Sequence, residues 1–316
     1  MFYSSSRFIK ILTIAFCFLS SKVSADSCLS FIPYFFENQS HKLVRNKNFC
    51  VDHLADFEIH FKSDKNGARI LSEFPESSSK IYFGDSQLLG LDVNAEDHYF
   101  YSEVKSVSLH ATPNNGPYEA LELVKERELP PQNIHIAFNF GRDIFRILPT
   151  WDPSKYVLFS EAQLDRVTNS NFAYNLVMMK KFFQGKVTFK PPNNKGVRNR
   201  FLSKDENHYT IALAQYFNAL KALNYTDKFS AFYVYPPFWV FDADGQRLLA
   251  LDPEMANSYQ SILCSQLETI NSVFETAYVM DPSSLDIHVA RLTKDMRHFS
   301  SADVVFIDLA SFCSLQ

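Results

Sequence analysis

Glycine is scarce in this chain, with 8 residues among 316, while Phe and Tyr number 31 and 15. That balance argues against a disordered or low-complexity chain and for ordered structure. No long basic run with interleaved aromatics occurs, so nucleic-acid binding has little support. The formal charge of −4 shows no strong imbalance either. No Cys-x-x-Cys or His-x-x-x-His spacing is present, which argues against a metal site. No internal repeat is visible, and no segment after the N-terminus approaches the length of a membrane span. What is present is a large apolar fraction, 46% of the residues, enough to bury one large core or two small ones.

The N-terminus reads as a secretory signal over residues 1–25. Arg7 and Lys10 supply positive charge, and Phe8 to Leu19 is largely apolar at a length suited to a signal rather than a span. Val23-Ser24-Ala25 predicts cleavage after Ala25; an uncleaved anchor is the alternative. Cysteine usage agrees with export to a secreted or periplasmic location. Cys17 falls within the signal, which leaves Cys28, Cys50, Cys264 and Cys313. An even set in an oxidising compartment suggests two disulfides in one of three pairings. Proximity in sequence favours Cys28–Cys50 and Cys264–Cys313.

Residues 26–79 read as an irregular, aromatic N-terminal extension, with strand-like alternation only at Asp56–Lys62. From Lys80 onward, strand-like runs at Lys80–Phe83, Val104–His110, Asn133–Asn139, Ala231–Tyr235 and Ser272–Val279 alternate with helix-like stretches. The helical stretches are Tyr118–Glu128, Asn171–Phe183, Glu206–Leu223, Glu254–Ile270 and Ala302–Phe312. Such alternation predicts an α/β fold with a mainly parallel sheet and helices on both faces. Residues 149–203 fit poorly and read as an insertion, either a lid or a plain surface excursion.

Phe83-Gly84-Asp85-Ser86-Gln87 is the most informative stretch. It follows an apolar strand-like run and carries a serine on a sharp turn, a common way to expose a nucleophilic hydroxyl at the carboxyl edge of a sheet. Gly84 tolerates the backbone such a turn needs. A serine needs a base, usually a histidine. The best candidate lies in Asp295-Met296-Arg297-His298, where an aspartate precedes a histidine by three residues and can orient its ring. Asp286-Ile287-His288 is a weaker candidate. Alone, Ser86 reads as a turn serine and His298 as a surface or capping histidine; each gains weight from the other.

On these two motifs, Gly84-Asp85-Ser86 and Asp295-x-x-His298, the chain resembles the GDSL or SGNH hydrolase superfamily over about Lys80 to Gln316. The resemblance implies a three-layer α/β/α sandwich of flavodoxin-like type, here with disulfide-stapled termini. It also implies an oxyanion glycine after the second strand, for which Gly116 in Asn114-Asn115-Gly116 stands in place. A simple turn is the alternative there. The family's third block, Gly-x-Asn-Asp, is matched out of register by Phe138-Asn139-Phe140-Gly141-Arg142-Asp143, so that either Asn139 or Arg142 would face the oxyanion. Gln87 replaces the usual leucine.

The expected activity is therefore secreted, serine-dependent acyl-ester hydrolysis. Ser86, His298 and Asp295 would be the catalytic residues, and Ser86, Gly116 and Asn139 the oxyanion donors. No metal or organic cofactor is required. The substrate would be a small-molecule ester or an acylated glycan, with no nucleic-acid partner and no stable membrane span after signal cleavage. Two alternatives stay open: an envelope glycan O-acyltransferase, and a non-catalytic secreted binding protein that retains the fold. Tyr233-Val234-Tyr235-Pro236-Pro237-Phe238-Trp239 reads as a core strand stopped by prolines, followed by aromatics that either line a pocket or pack plainly.

Overall fold

The computed structural model describes residues 43, 45–51, 59–73, 79–90, 93–111, 116–127, 129–148, 201–223, 225–243, 246–251, 253–281 and 304–314; the side chains of 51, 86, 127, 238–243, 246–251, 253 and 254 are not among what is described. The first strands are β1 (Asn48–Val51), β2 (Ile59–Ser63), β3 (Arg69–Ser72), β4 (Lys80–Gly84), β5 (Val107–Ala111) and β6 (Ile134–Asn139). They are followed by β7 (Phe229–Tyr235), β8 (Phe238–Ala243), β9 (Gln246–Leu251), β10 (Phe274–Met280) and β11 (Phe306–Asp308). The helices are α1 (Ser86–Leu89), α2 (Pro117–Arg127), α3 (Phe140–Arg146), α4 (Glu206–Lys221), α5 (Pro253–Cys264), α6 (Leu267–Val273) and α7 (Leu309–Cys313).

Nine strands form one mixed sheet in the order β1-β2-β3-β5-β4-β6-β7-β10-β11, and β8 with β9 forms a separate antiparallel pair. The α/β class expected from the alternation holds. The sheet, however, is not mainly parallel. β5, β4, β6, β7 and β10 are parallel, but β1, β2 and β3 add antiparallel at one side and β11 at the other. The irregular-looking N-terminal stretch supplies the first three. In β2 the alternation is visible as buried and exposed residues in turn, the pattern of a strand with one solvated face.

The parallel strands sit at the centre because their sequences can be buried on both faces. β6 is buried at all six positions. Taken in chain order, the five parallel strands lie 2-1-3-4-5 across the sheet. The order reverses between β4 and β6. In open α/β sheets, the crevice outside the carboxyl ends at such a reversal is where ligands bind.

The two faces differ. Ile81 and Phe83 of β4, Ile136 and Phe138 of β6, and Phe232 and Val234 of β7 pack in one cluster with the buried residues of α2, α3, α4, α5 and α6. On the other face, Tyr82, Ala137, Tyr235 and Met280 pack with Leu88 and Leu89 of α1 and with Phe100. This second face is aromatic. Tyr82 stacks on Phe100 at 4.1 Å and on His135 at 4.4 Å, and Phe306 lies 5.1 Å from Tyr233.

Two helical expectations are corrected. The stretch Glu254–Ile270 is two helices, because the Ser265 hydroxyl turns back to the Ile262 carbonyl at 2.7 Å and ends the first. The second helix then runs to Val273, where a strand was expected to have begun. The stretch Ala302–Phe312 contains a strand, β11, before its helix. Asp308 sets the boundary by capping α7, its side chain accepting from Ser311 N–H. Asn171–Phe183 and nearly all of the insertion at 149–203 lie outside the described residues. At the insertion's end, Phe201 is buried and stacked on Tyr209 at 4.7 Å.

Cys264 and Cys313 form a disulfide across a separation of 49 residues, as expected. Cys50 is also disulfide-bonded; Cys28, its expected partner, lies outside the described residues. No described helix is long and apolar enough to cross a membrane.

Candidate functional site at the carboxyl edge

The first motif lies where the strand order reverses. Gly84 ends β4 and Ser86 opens α1. The space beside Gly84 is closed: an added Cβ would lie 2.9 Å from Leu88 Cδ2 and 3.1 Å from the Ala137 carbonyl oxygen. Glycine is thus required here by close approach of the neighbouring strand. Asp85 is the N-cap of α1. Its Oδ1 accepts from Gln87 N–H at 2.8 Å, which leaves Ser86 as the first helical residue. The Ser86 side chain lies outside what is described.

Asp85 is almost wholly buried. A buried carboxylate needs partners, and the third motif supplies them. Asn139, the last residue of β6, donates its side-chain Nδ2 to Asp85 Oδ2 at 2.9 Å. Arg142, half-exposed, brings Nη1 to 4.0 Å of the same oxygen. Both residues left open for this position thus face Asp85, with Asn139 at hydrogen-bond distance.

A second buried acid lies one turn along α3. Asn139 N–H donates to Asp143 Oδ2 at 2.8 Å. The Asp143 Oδ1 faces Arg146 Nη1 at 3.5 Å, with both side chains nearly inaccessible to water. Burial, followed by the nearby Asp85 charge, raises the Asp143 carboxyl above the ordinary range; Arg146, the Asn139 N–H and Arg142 pull in the other direction. Burial outweighs them.

Gly116 meets this network from the other side. It is buried, and its carbonyl accepts from Ala120 N–H at 2.9 Å as α2 begins. An added Cβ would lie 3.0 Å from Arg146 Cδ and 2.8 Å from a Glu119 carboxylate oxygen. The three expected motifs around Asp85, Gly116 and Asn139 are therefore linked through Asp143 and Arg146. Gly141 lies against Pro237, with an added Cβ 3.3 Å from Pro237 Cα. This brings the stop after β7 next to the third motif. The prolines do end β7 at Tyr235, as expected.

Asp295 and His298, along with Asp286 and His288, lie outside the described residues. The residues that flank them are described. β10 is parallel to β7, so Met280 lies on the same carboxyl edge as Gly84 and Asn139. Phe306 pairs with Met280, and Asp281 N–H donates to the Val305 carbonyl at 2.8 Å. The chain thus leaves and re-enters the described structure at that edge. β10 is three strands from β4, about 14 Å at the usual spacing.

Several residues around the site were not legible as such. Asp143 and Arg146 are charged residues on the buried face of a helix containing Phe140, Ile144 and Phe145. Their periodicity was the available signal, since a charge at an apolar register position is either paired or functional. Tyr99 Oη lies 2.7 Å from Tyr235 Oη and donates to the Gln87 carbonyl at 3.2 Å. Nothing in the sequence pairs residues so far apart. Among the described residues, no group of three or more His, Cys, Asp or Glu is placed to hold a metal ion.

No protein-family model, no curated protein and no solved structure matches the chain.

Proposed function

We propose that this chain is an exported serine acyl-ester hydrolase of SGNH type, a three-layer sandwich in which Ser86 is the nucleophile. One observation carries the reading: the Asp85–Asn139 hydrogen bond joins the Gly-Asp-Ser turn to the third motif at the switch between β4 and β6. The tethering of residues 281 and 305 at the same edge supports the assignment of His298 and Asp295 as base and orienter.

In the cycle, His298 takes the Ser86 hydroxyl proton as the oxygen attacks the ester carbonyl. The oxyanion is held by the N–H groups of Ser86 and Gly116. Asn139 contributes the amide proton that Asp85 does not engage. The intermediate collapses with loss of the alcohol, which takes the proton from His298. Water, deprotonated by His298, then releases the carboxylic acid and restores Ser86. No cofactor enters this cycle.

The test is labelling of the full chain with a fluorophosphonate. Label in wild type that is lost in both Ser86→Ala and His298→Ala supports the reading. A folded wild type that takes no label and hydrolyses no short-chain ester points to a binding protein instead. Acyl transfer to an added sugar hydroxyl in preference to water would redefine the enzyme as an O-acyltransferase.

A further inference from the structure

The turn that carries Ser86 continues into a helix of only four residues, α1, followed by Gly90 in the left-handed conformation. So short a helix leaves its carbonyls without partners of its own. Two buried side chains, His98 and Arg69, and the half-buried Tyr99 take them up. Tyr99 Oη donates to the Gln87 carbonyl. His98 Nε2 donates to the Leu88 carbonyl at 2.9 Å, while its Nδ1 accepts from Phe100 N–H at 3.1 Å, which fixes the tautomer. Arg69 takes the rest. Its Nη1 donates to the Leu89 carbonyl at 2.7 Å and to the Gly90 carbonyl, and its Nη2 donates to the Val93 carbonyl at 2.6 Å.

Arg69 is fully buried, and its guanidinium lies 5.2 Å from the Phe61 ring centroid. It belongs to β3, in the stretch before the region of SGNH resemblance. β3 is held antiparallel on β5, with Arg69 opposite Leu109. The guanidinium therefore projects from a fixed strand onto the segment after Ser86. A rigid planar fork with several donors suits three converging carbonyls; a lysine ammonium, a single point on a flexible stem, does not.

We propose that Arg69 is a positioning residue for Ser86. By binding the carbonyls of Leu89, Gly90 and Val93, it fixes the far end of α1 and so the angle at which the Gly84-Asp85-Ser86 turn leaves the sheet. The N-terminal strands then form part of the active-site scaffold. This inference rests on the serine-hydrolase reading, and the experiment separates the two.

The test compares wild type, Arg69→Met, Arg69→Lys and Ile59→Ala in the full chain. Ile59, also fully buried in the same three strands, is the control for lost stability alone. The readouts are the rate of fluorophosphonate labelling, kcat and KM on an ester, and hydrogen exchange of residues 86–93. Arg69→Met should label about 10- to 100-fold more slowly, with kcat reduced and KM little changed, as expected for a misplaced reacting group. Exchange over 86–93 should accelerate while β6 stays protected. Arg69→Lys should restore only part of the rate, and Ile59→Ala should label like wild type. Labelled wild type with equally fast labelling of folded Arg69→Met overturns this inference and leaves the hydrolase reading intact. So does a slow Ile59→Ala. An Arg69→Lys protein that cannot fold also overturns it, since the residue then serves the whole fold. Wild type without label overturns both.

Discussion

Asn139 Nδ2 donates to Asp85 Oδ2 across 2.9 Å, joining residues 54 positions apart at the ends of adjacent parallel strands. The same Asn139 donates its backbone N–H to Asp143 Oδ2. A single residue thus holds two buried acids in place.

Asn139→Ala should therefore do two separable things. Asp85 stays buried with one bond fewer, at a cost of about 1–3 kcal/mol in stability, read from urea unfolding. On the proposed hydrolase reading, in which Asn139 is an oxyanion donor, kcat should fall about 100- to 1000-fold with KM nearly unchanged. Unchanged kcat in a folded variant would remove Asn139 from the oxyanion site.

The Asp143 carboxyl is raised by burial, so it binds a proton more tightly in the folded chain than in the unfolded one. Its contribution to stability is complete below the ordinary carboxylate value and declines as pH rises toward the raised one. Asp143→Asn keeps an acceptor for the Asn139 N–H and removes the titration. The variant should gain on wild type as pH is raised from 5 to 9, as read from urea midpoints. A constant difference across that range counts against the raised carboxyl.

His135 is buried on the aromatic face, stacked on Tyr82, and neither ring nitrogen has a hydrogen-bond partner among the described residues. Burial, with Lys80 and Lys105 nearby, lowers the ring to about 3. The unfolded ring takes its proton near pH 6.5, so the folded state loses stability as pH falls below that value. His135→Phe should be at least as stable as wild type at pH 7.5. At pH 5 it should have gained about 2 kcal/mol on wild type. Guanidinium unfolding at the two pH values measures this.

Cys313→Ser opens a loop of 49 residues that ties α7 to α5. The loss should be about 2–4 kcal/mol by chain entropy. Reduction of the wild-type protein, which also opens the Cys50 disulfide, should give a shift at least as large, and Cys313→Ser should leave the far-UV spectrum of the folded state unchanged.

The five parallel strands were readable because each is an apolar, β-prone run long enough to be buried on both faces, as β6 is at every position. The position of Asn139 at a strand end was readable for the same reason, but its bond to Asp85 was not: that pairing depends on which strands become neighbours. β11 escaped notice because it has three residues and pairs with a strand 26 residues earlier. Arg69 escaped notice because a charged residue in an irregular-looking stretch reads as solvated, whereas here three carbonyls take the place of water. The split after Cys264 turned on one serine hydroxyl, a local competition that apolar periodicity does not register.

Because β11 runs back along β10, the excursion between Asp281 and Val305 begins and ends at one stitched point. Its closure is supplied by the sheet. Doubling its length would add only about 0.6 kcal/mol of entropic cost. The edge at Met280 and Phe306 is thus a place where the chain can gain or lose whole segments while the strands beneath stay as they are.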